Sequence, residues 1–191
     1  MIDKTLAILA GGKSSRMKYN NKALLNYKEK TFIEHIMKAG NSYKEIIIVA
    51  NDSKPYEKFG LRVVQDIYKG NGPLSGIHSA LQNSNTDYVL CIACDMPLTN
   101  KCVLDFMGKY HGEYDVLVPI YNEKIQPLCS VFSKRTLGKL EESLKNNENK
   151  LQKIILSLDY KAINGLEHRK FNEIDFLNIN TPNDFKNLEE F

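Results

Sequence analysis

The stretch Leu9-Ala10-Gly11-Gly12-Lys13-Ser14-Ser15-Arg16-Met17, which follows the apolar run beginning at Thr5 and precedes Lys22, decides how the rest of the chain is read. Thr5 to Ala10 has the pattern of a buried strand. Adjacent glycines after a strand allow a sharp turn and leave backbone N–H groups open to a close-lying anion. Lys13, Arg16 and Lys22 bring three cations to the same turn. A strand delivering a glycine-rich basic loop points to polyphosphate binding; a plain glycine turn with solvated charges is the alternative. It is not a Walker A loop, because the position five before Gly12 is Ala7. Nor is it the dinucleotide pattern G-x-G-x-x-G, since Gly11 and Gly12 are adjacent and Ser15-Arg16 follows.

Working outward, apolar runs alternate with helical patterns. Thr31 to Ala39 reads as a helix, with Thr31 and Glu34 as a capping box and Gly40 closing it. Glu45 to Ala50 and Leu61 to Gln65 read as strands. Gly72-Pro73-Leu74 opens a helix to about Gln82, with Pro73 suited to its first turn. Asp87 to Ala93 is a further strand, and Lys101 to Lys109 a helix. This order predicts a single-domain α/β fold, a doubly wound, mostly parallel sheet with helices on both faces. Beyond it, Asp115 to Ile120 and Pro127 to Phe132 read as strands joined by a polar turn at Tyr121 to Lys124. Helices are expected over Lys134 to Lys145 and Leu151 to Leu158. Phe176 to Asn180 reads as a last short strand, before a helix capped by Thr181-Pro182 with Asp184 in its first turn.

Composition sets the frame. In 191 residues, 42% are apolar and 26% charged, as in ordinary globular proteins. A chain this long buries about 70% of its unfolded surface on folding, enough for a sheet covered on both sides. The net charge of +3 is too small to argue for nucleic acid. No apolar stretch is long enough to span a bilayer, and Met1 leads directly into a strand, so a cytoplasmic location without membrane association is expected. Of the four cysteines, Cys91 and Cys94 have C-x-x-C spacing but fall where a strand turns them to opposite faces. With Cys102 and Cys129 they read as buried, reduced thiols. His35, His78, His111 and His168 show no metal or triad spacing.

In open α/β sheets ligands bind at the carboxyl ends of the strands. The first strand delivers the loop, the second ends at Asn51-Asp52, the third at Asp66, the fourth at Asp95, and the last at Asn180. Asp95, at the tip of a buried strand and followed by Met96-Pro97, is the metal candidate, because Mg²⁺ takes one or two carboxylates together with substrate phosphates. Capping the turn before Pro97 is its alternative role. Gly72-Pro73-Leu74-Ser75-Gly76 presents free N–H groups at a helix start.

Taken together, L-A-G-G-x-S-x-R-M with Lys22, G-P-L-x-G from Gly72, C-D-M-P at Cys94 to Pro97 and N-x-N-T-P from Asn178 resemble the MobA-like nucleotidyltransferases, in particular the molybdenum cofactor guanylyltransferases. The likeness runs through most of the chain in order, with its specific motifs in the first half and at the end. Lys18 and Asn21 depart from the pattern, standing where Gly and Asp are usual. The resemblance implies a nucleotide-binding half over 1–110 and an acceptor-side half over 111–191. It implies nucleotide contacts by Leu9, Ala10, Gly11, Gly12, Lys13, Lys22, Asn51, Asp66, Gly72, Pro73 and Gly76, with Mg²⁺ on Asp95. It places Asn178, Asn180 and the Gln126-Pro127-Leu128 segment on the cofactor side. Lys22, Arg16 and Asp95 carry the reaction in this reading. A GMP unit passes from GTP to the terminal phosphate of molybdopterin, and pyrophosphate leaves. Other cofactor-biosynthesis or molybdoenzyme-maturation proteins are the expected partners. The rival readings are a cytidylyl- or sugar-phosphate nucleotidyltransferase of the same fold, and a nucleotide-binding regulator without catalysis.

Overall fold

The first strand, β1 (Ile2–Leu9), is apolar on both sides from Thr5 onward, so it is stable only between two covered faces. The computed structural model describes residues 1–11, 21–165 and 171–188 and places β1 inside an eight-stranded sheet. A two-stranded ribbon of β2 (Asn26–Tyr27) and β3 (Lys30–Thr31) follows, then α1 (Phe32–Ala39), β4 (Tyr43–Val49), β5 (Arg62–Val64) and α2 (Pro73–Asn83). Next come β6 (Tyr88–Ala93), α3 (Lys101–Lys109), β7 (Val116–Tyr121), β8 (Lys124–Ile125), β9 (Cys129–Ser133) and α4 (Leu137–Lys145). The chain continues through α5 (Leu151–Leu156), β10 (Tyr160–Asn164) and α6 (Pro182–Asn187).

The strands lie in the order β10-β7-β9-β6-β1-β4-β5, with β8 attached to β7. β1 pairs in parallel with β4 on one side and β6 on the other. β4–β5 and β10–β7 are also parallel, whereas β9 runs antiparallel to both β6 and β7. Strand alternation divides the core in two. Leu6, Ile8, Leu90 and Ile92 face α1 and α3, packing on Ile33, Ile36, Val103, Leu104 and Met107. Ala7, Leu9, Ile47, Val49 and Val89 face α2, α4 and α5, packing on Leu74, Ile77, Leu140, Leu144 and Ile155. The expected doubly wound architecture is therefore present, with helices on both faces. Among the described residues no helix is long and apolar enough to cross a membrane.

The N-terminal elements start and stop close to where the sequence places them. The Thr31–Glu34 capping box forms, and Asn100 caps α3 by accepting from the Val103 N–H at 3.0 Å. Four expectations need correction. Phe176–Asn180 is not a strand: residues 173–176 form a 3₁₀ turn, and the run beyond meets the sheet through one backbone bond, Ile179 N–H to the Asp95 carbonyl at 2.8 Å. Tyr160–Asn164 is a strand that was not expected. It lies at the sheet edge with two of its five residues exposed and one buried, so it lacks the apolar run that marks a central strand. The polar turn at 121–124 leads from β7 into the two-residue β8 through Asn122 and Glu123, both at positive φ, and β9 begins only at Cys129. The cysteines are all free, with Cys91 and Cys129 buried and Cys94 half-buried, but Cys102 is exposed at the start of α3. Cys91 and Cys94 do pack on opposite faces of the sheet.

Candidate active site

The chain leaves β1 toward β4 on one side, while β6 lies on the other, so the strand order reverses between β1 and β6. A crevice outside the carboxyl ends of two such strands is the standard ligand site of open α/β sheets. Here the pairing runs past the strand ends. Ala10 N–H donates to the Val49 carbonyl at 2.9 Å, and Cys94 N–H to the Leu9 carbonyl at 3.1 Å. Those bonds carry Gly11 and Asp95 into one cavity of about 160 Å³, whose walls also include Asn21, Lys22, Pro73 and Leu128.

Lys22 enters at the first position of a 3₁₀ turn, Lys22–Leu24, that Asn21 caps through its side-chain oxygen. Its Nζ donates to Asn180 Oδ1 at 2.7 Å and lies 3.5 Å from Asp95 Oδ2. Asn180 is held in turn because its N–H donates to Asp184, the carboxylate that caps α6 with Thr181. The structure thus brings together Lys22, Asp95 and Asn180, which are remote in sequence. Burial pushes the Asp95 carboxyl above its ordinary range, and the Lys22 ammonium pulls it back down. Asp95 Oδ1 is buried without a hydrogen-bond partner among the described residues. An orphaned carboxylate oxygen beside a cavity is what a hard cation would satisfy, so the donor set fits Mg²⁺ held by one carboxylate and substrate phosphates. No group of three or more His, Cys, Asp or Glu residues that would hold a metal by themselves occurs among the described residues. The Cys94 thiol borders the same cavity, but burial and the neighbouring Asp95 push it up to about 12, so it is no thiolate nucleophile.

A second group lies beside the first. Asp66, two residues past β5, accepts from Asn51 Nδ2 at 3.0 Å, and burial raises its carboxyl while Asn51 opposes that. A Cβ on Gly11 would stand 3.7 Å from Asp66 Oδ2, and one on Gly76 would stand 3.8 Å from Oδ1. Asp66 is therefore lodged between the end of β1 and the first turns of α2. Gly76 also lets α2 approach β1, since its Cβ would come within 3.3 Å of Leu9. Gly72 caps α2 at φ +62°, ψ −148°, a conformation that requires glycine. It is exposed, and its neighbour Pro73, not Gly72 itself, lines the cavity.

Other expected residues are placed differently. Asn178 is not at the cavity wall; its amide donates to the Phe176 carbonyl at 3.3 Å. In the Gln126-Pro127-Leu128 segment, Leu128 lines the cavity and its carbonyl accepts from Ala93 N–H, while the Gln126 amide donates to the Lys124 carbonyl. Gly12, Lys13 and Arg16, with Lys18, lie outside the described residues. Tyr56 is the participant that motif reading misses. Its hydroxyl lies 3.3 Å from the Ala10 carbonyl and 2.9 Å from Asn21 Nδ2. The only signal for it is a Pro-led turn just after the carboxyl end of the second strand, at Lys54-Pro55-Tyr56.

A buried carboxylate beside a lysine at the carboxyl end of β1, on a doubly wound sheet, defines a site of the nucleotidyltransferase class. The sequence matches the MobA-like NTP transferase domain over residues 6–162, and the chain belongs to that family. It is 47% identical over 194 aligned residues to a Clostridium perfringens protein named "probable molybdenum cofactor guanylyltransferase", covering 98% of this chain and 97% of the relative. A Pelotomaculum thermopropionicum protein of the same name is 36% identical, covering 96% and 91%. Among solved structures, the molybdopterin-guanine dinucleotide biosynthesis protein A of Archaeoglobus fulgidus superposes with a TM-score of 0.82 at 28% identity, covering 97% of each chain.

Proposed function

We propose that this enzyme transfers GMP from GTP to the terminal phosphate of molybdopterin with Mg²⁺ and releases pyrophosphate. The observation that carries the reading is the buried Asp95 carboxylate at the cavity beyond β1, with Oδ2 3.5 Å from Lys22 Nζ and Oδ1 without a hydrogen-bond partner among the described residues. The names of the full-length relatives supply the substrates. An oxygen of the acceptor phosphate attacks the α-phosphorus of GTP, and the bond to the bridging β-phosphate oxygen breaks. A phosphate monoester has its second pKa near 6 and is largely ionised at neutral pH, so no general base is needed. Positioning and charge neutralisation remain for the protein to provide. Bound Mg²⁺ supplies charge neutralisation at the α-phosphate, and Asp95 is the residue that would hold it.

Lys22, steadied by Asn180, stands where a cation is wanted beside the phosphates. Lys13 and Arg16 are proposed, from the family pattern, to hold the departing pyrophosphate. Asn51 and Asp66 are proposed to read the nucleoside, since among the described residues Asn51 bonds only Asp66 Oδ2, and a carboxylate can accept the N–H donors of guanine or the hydroxyls of ribose. Partners are then the proteins that supply molybdopterin or load the finished cofactor.

A thermal shift with GTP, CTP, UTP and ATP, with and without Mg²⁺, tests the reading. Ligand at a hundredfold its dissociation constant adds about 2.7 kcal/mol. In a chain of this size that raises Tm by roughly 5–10 °C. A shift with GTP and Mg²⁺ that exceeds the others supports the assignment; a preference for CTP, or no shift at all, overturns it.

A further inference from the structure

Tyr56 is 2% exposed and belongs to the core cluster under α1 and α3, yet its hydroxyl bonds to Ala10 and Asn21, two residues that line the cavity. One assignment of its hydrogen bonds satisfies every group. Asn21 Oδ1 accepts from Ala23 N–H at 3.2 Å, which leaves Nδ2 to donate to the Tyr56 hydroxyl oxygen at 2.9 Å. The Tyr56 O–H then donates to the Ala10 carbonyl at 3.3 Å. Burial pushes this phenol up to about 12, so it holds its proton throughout the working pH range. The chain of bonds runs from Asn21 through Tyr56 to Ala10. These are the residues next to Lys22 and Gly11, which line the cavity from separate segments.

We infer that Tyr56 is a positioning residue for nucleotide binding, a latch that fixes the distance between the end of β1 and Lys22. The inference rests on the proposed nucleotide site but not on the identity of the base or acceptor. Ala10 is already tied to β4 through its N–H. The Lys22 turn, by contrast, has little regular structure: three residues of 3₁₀ helix with one buried side chain, Ala23. Tyr56 gives that turn a rigid reference, because its ring is fixed in the core. Without the hydroxyl, the ordering of Lys22 against Gly11 must be supplied when nucleotide binds, which weakens affinity more than turnover.

The test compares wild type, Tyr56→Phe and Tyr43→Phe. Tyr43 is a matched control, another buried phenol, which donates to the Leu104 carbonyl at 2.7 Å on α3. Two readouts are taken: amide hydrogen exchange at Ala10, Ala23, Leu24 and Leu25 in the free protein, and nucleotide KM and kcat. Tyr56→Phe is expected to speed exchange at those four amides and raise nucleotide KM about tenfold, with kcat changed less than threefold. Tyr43→Phe should lower Tm without either effect. Adding Tyr56→Phe to Asn21→Ala should cost little more than Asn21→Ala alone, because loss of the Asn21 amide already breaks the link between Tyr56 and the Lys22 turn. Wild-type exchange and KM in Tyr56→Phe, or the same changes in Tyr43→Phe, would overturn the inference. If wild type bound no nucleotide, the proposed function would fail and the exchange rates alone would decide the latch.

Discussion

Replacing Lys22 by Met keeps most of the side chain's length and apolar stem but removes its charge, and the consequence is set by Asp95. The two groups are 3.5 Å apart with side-chain exposures of 16% and 19%. Removing one partner of a fully buried ion pair costs about 3–5 kcal/mol. An exposed pair is worth about 0.2–1 kcal/mol. This pair lies between those limits, so Lys22→Met is expected to cost about 2 kcal/mol at neutral pH, or roughly 5 °C in Tm. The pH dependence separates this cause from ordinary loss of packing. Burial already raises the folded Asp95 carboxyl above its unfolded value, against the pull of Lys22. Such a group adds stability at low pH that is lost as pH rises through the folded pKa. Without Lys22 the folded value rises further, so the loss continues to higher pH and is larger at neutrality. The difference between variant and wild type should be full at neutral pH and vanish below the ordinary carboxylate range, where Asp95 is protonated in both. Unfolding by denaturant between pH 3.5 and 7.5 measures it. Lys22→Met combined with Asp95→Asn should recover much of the neutral-pH loss, because no unpaired charge remains. An equal loss at both ends of the pH range, or simple additivity in the double variant, would refute the reasoning.

Other outcomes follow from the same geometry. Asp95→Asn should reduce turnover at least a hundredfold, by removing the carboxylate proposed to hold the metal, while raising Tm at neutral pH because a buried charge is gone; steady-state kinetics and calorimetry check both. Asp66→Asn should raise nucleotide KM about tenfold with a smaller effect on kcat, measured by steady-state kinetics. Gly108→Ala, far from the site, places a Cβ 2.6 Å from the Tyr43 hydroxyl and 2.9 Å from Ile2, so it should lower Tm by several degrees, as overpacked core changes cost about 1–3 kcal/mol, with nucleotide KM unchanged. Lys4, whose buried ammonium donates to the Gly108 and Tyr110 carbonyls, is lowered to about 8 by that burial. Between pH 8 and 10 the unfolded chain binds the extra proton, so wild type should gain stability with rising pH relative to Lys4→Met, as denaturant unfolding would show.

The central strands were legible because burial on both faces leaves no choice of residue. Ile46 to Val49 and Val89 to Ala93 are apolar at every position, and no other element of that length tolerates this. Helix starts were legible through local chemistry, as at Thr31 with Glu34 and at Pro73. β10 escaped because an edge strand mixes exposed and buried positions, and its partner β7 lies some forty residues earlier. The run at 177–180 misled for the opposite reason. It has the extended backbone and apolar alternation of a strand, but Ile179 packs against Tyr27 and Phe32 instead of joining a ladder. In the site, Asp95 and Asp66 could be named from their places after strands. That Lys22 meets Asn180 could not be read from spacing, nor that Tyr56 reaches Ala10, since both depend on how distant turns pack.

The most direct measurement is pyrophosphate release by the purified enzyme given molybdopterin, Mg²⁺ and each nucleoside triphosphate in turn. The account predicts pyrophosphate and a GMP-linked pterin in equal amounts with GTP, dependent on Mg²⁺ and lost in Asp95→Asn. Release with CTP in preference to GTP, or full activity in Asp95→Asn, would contradict it.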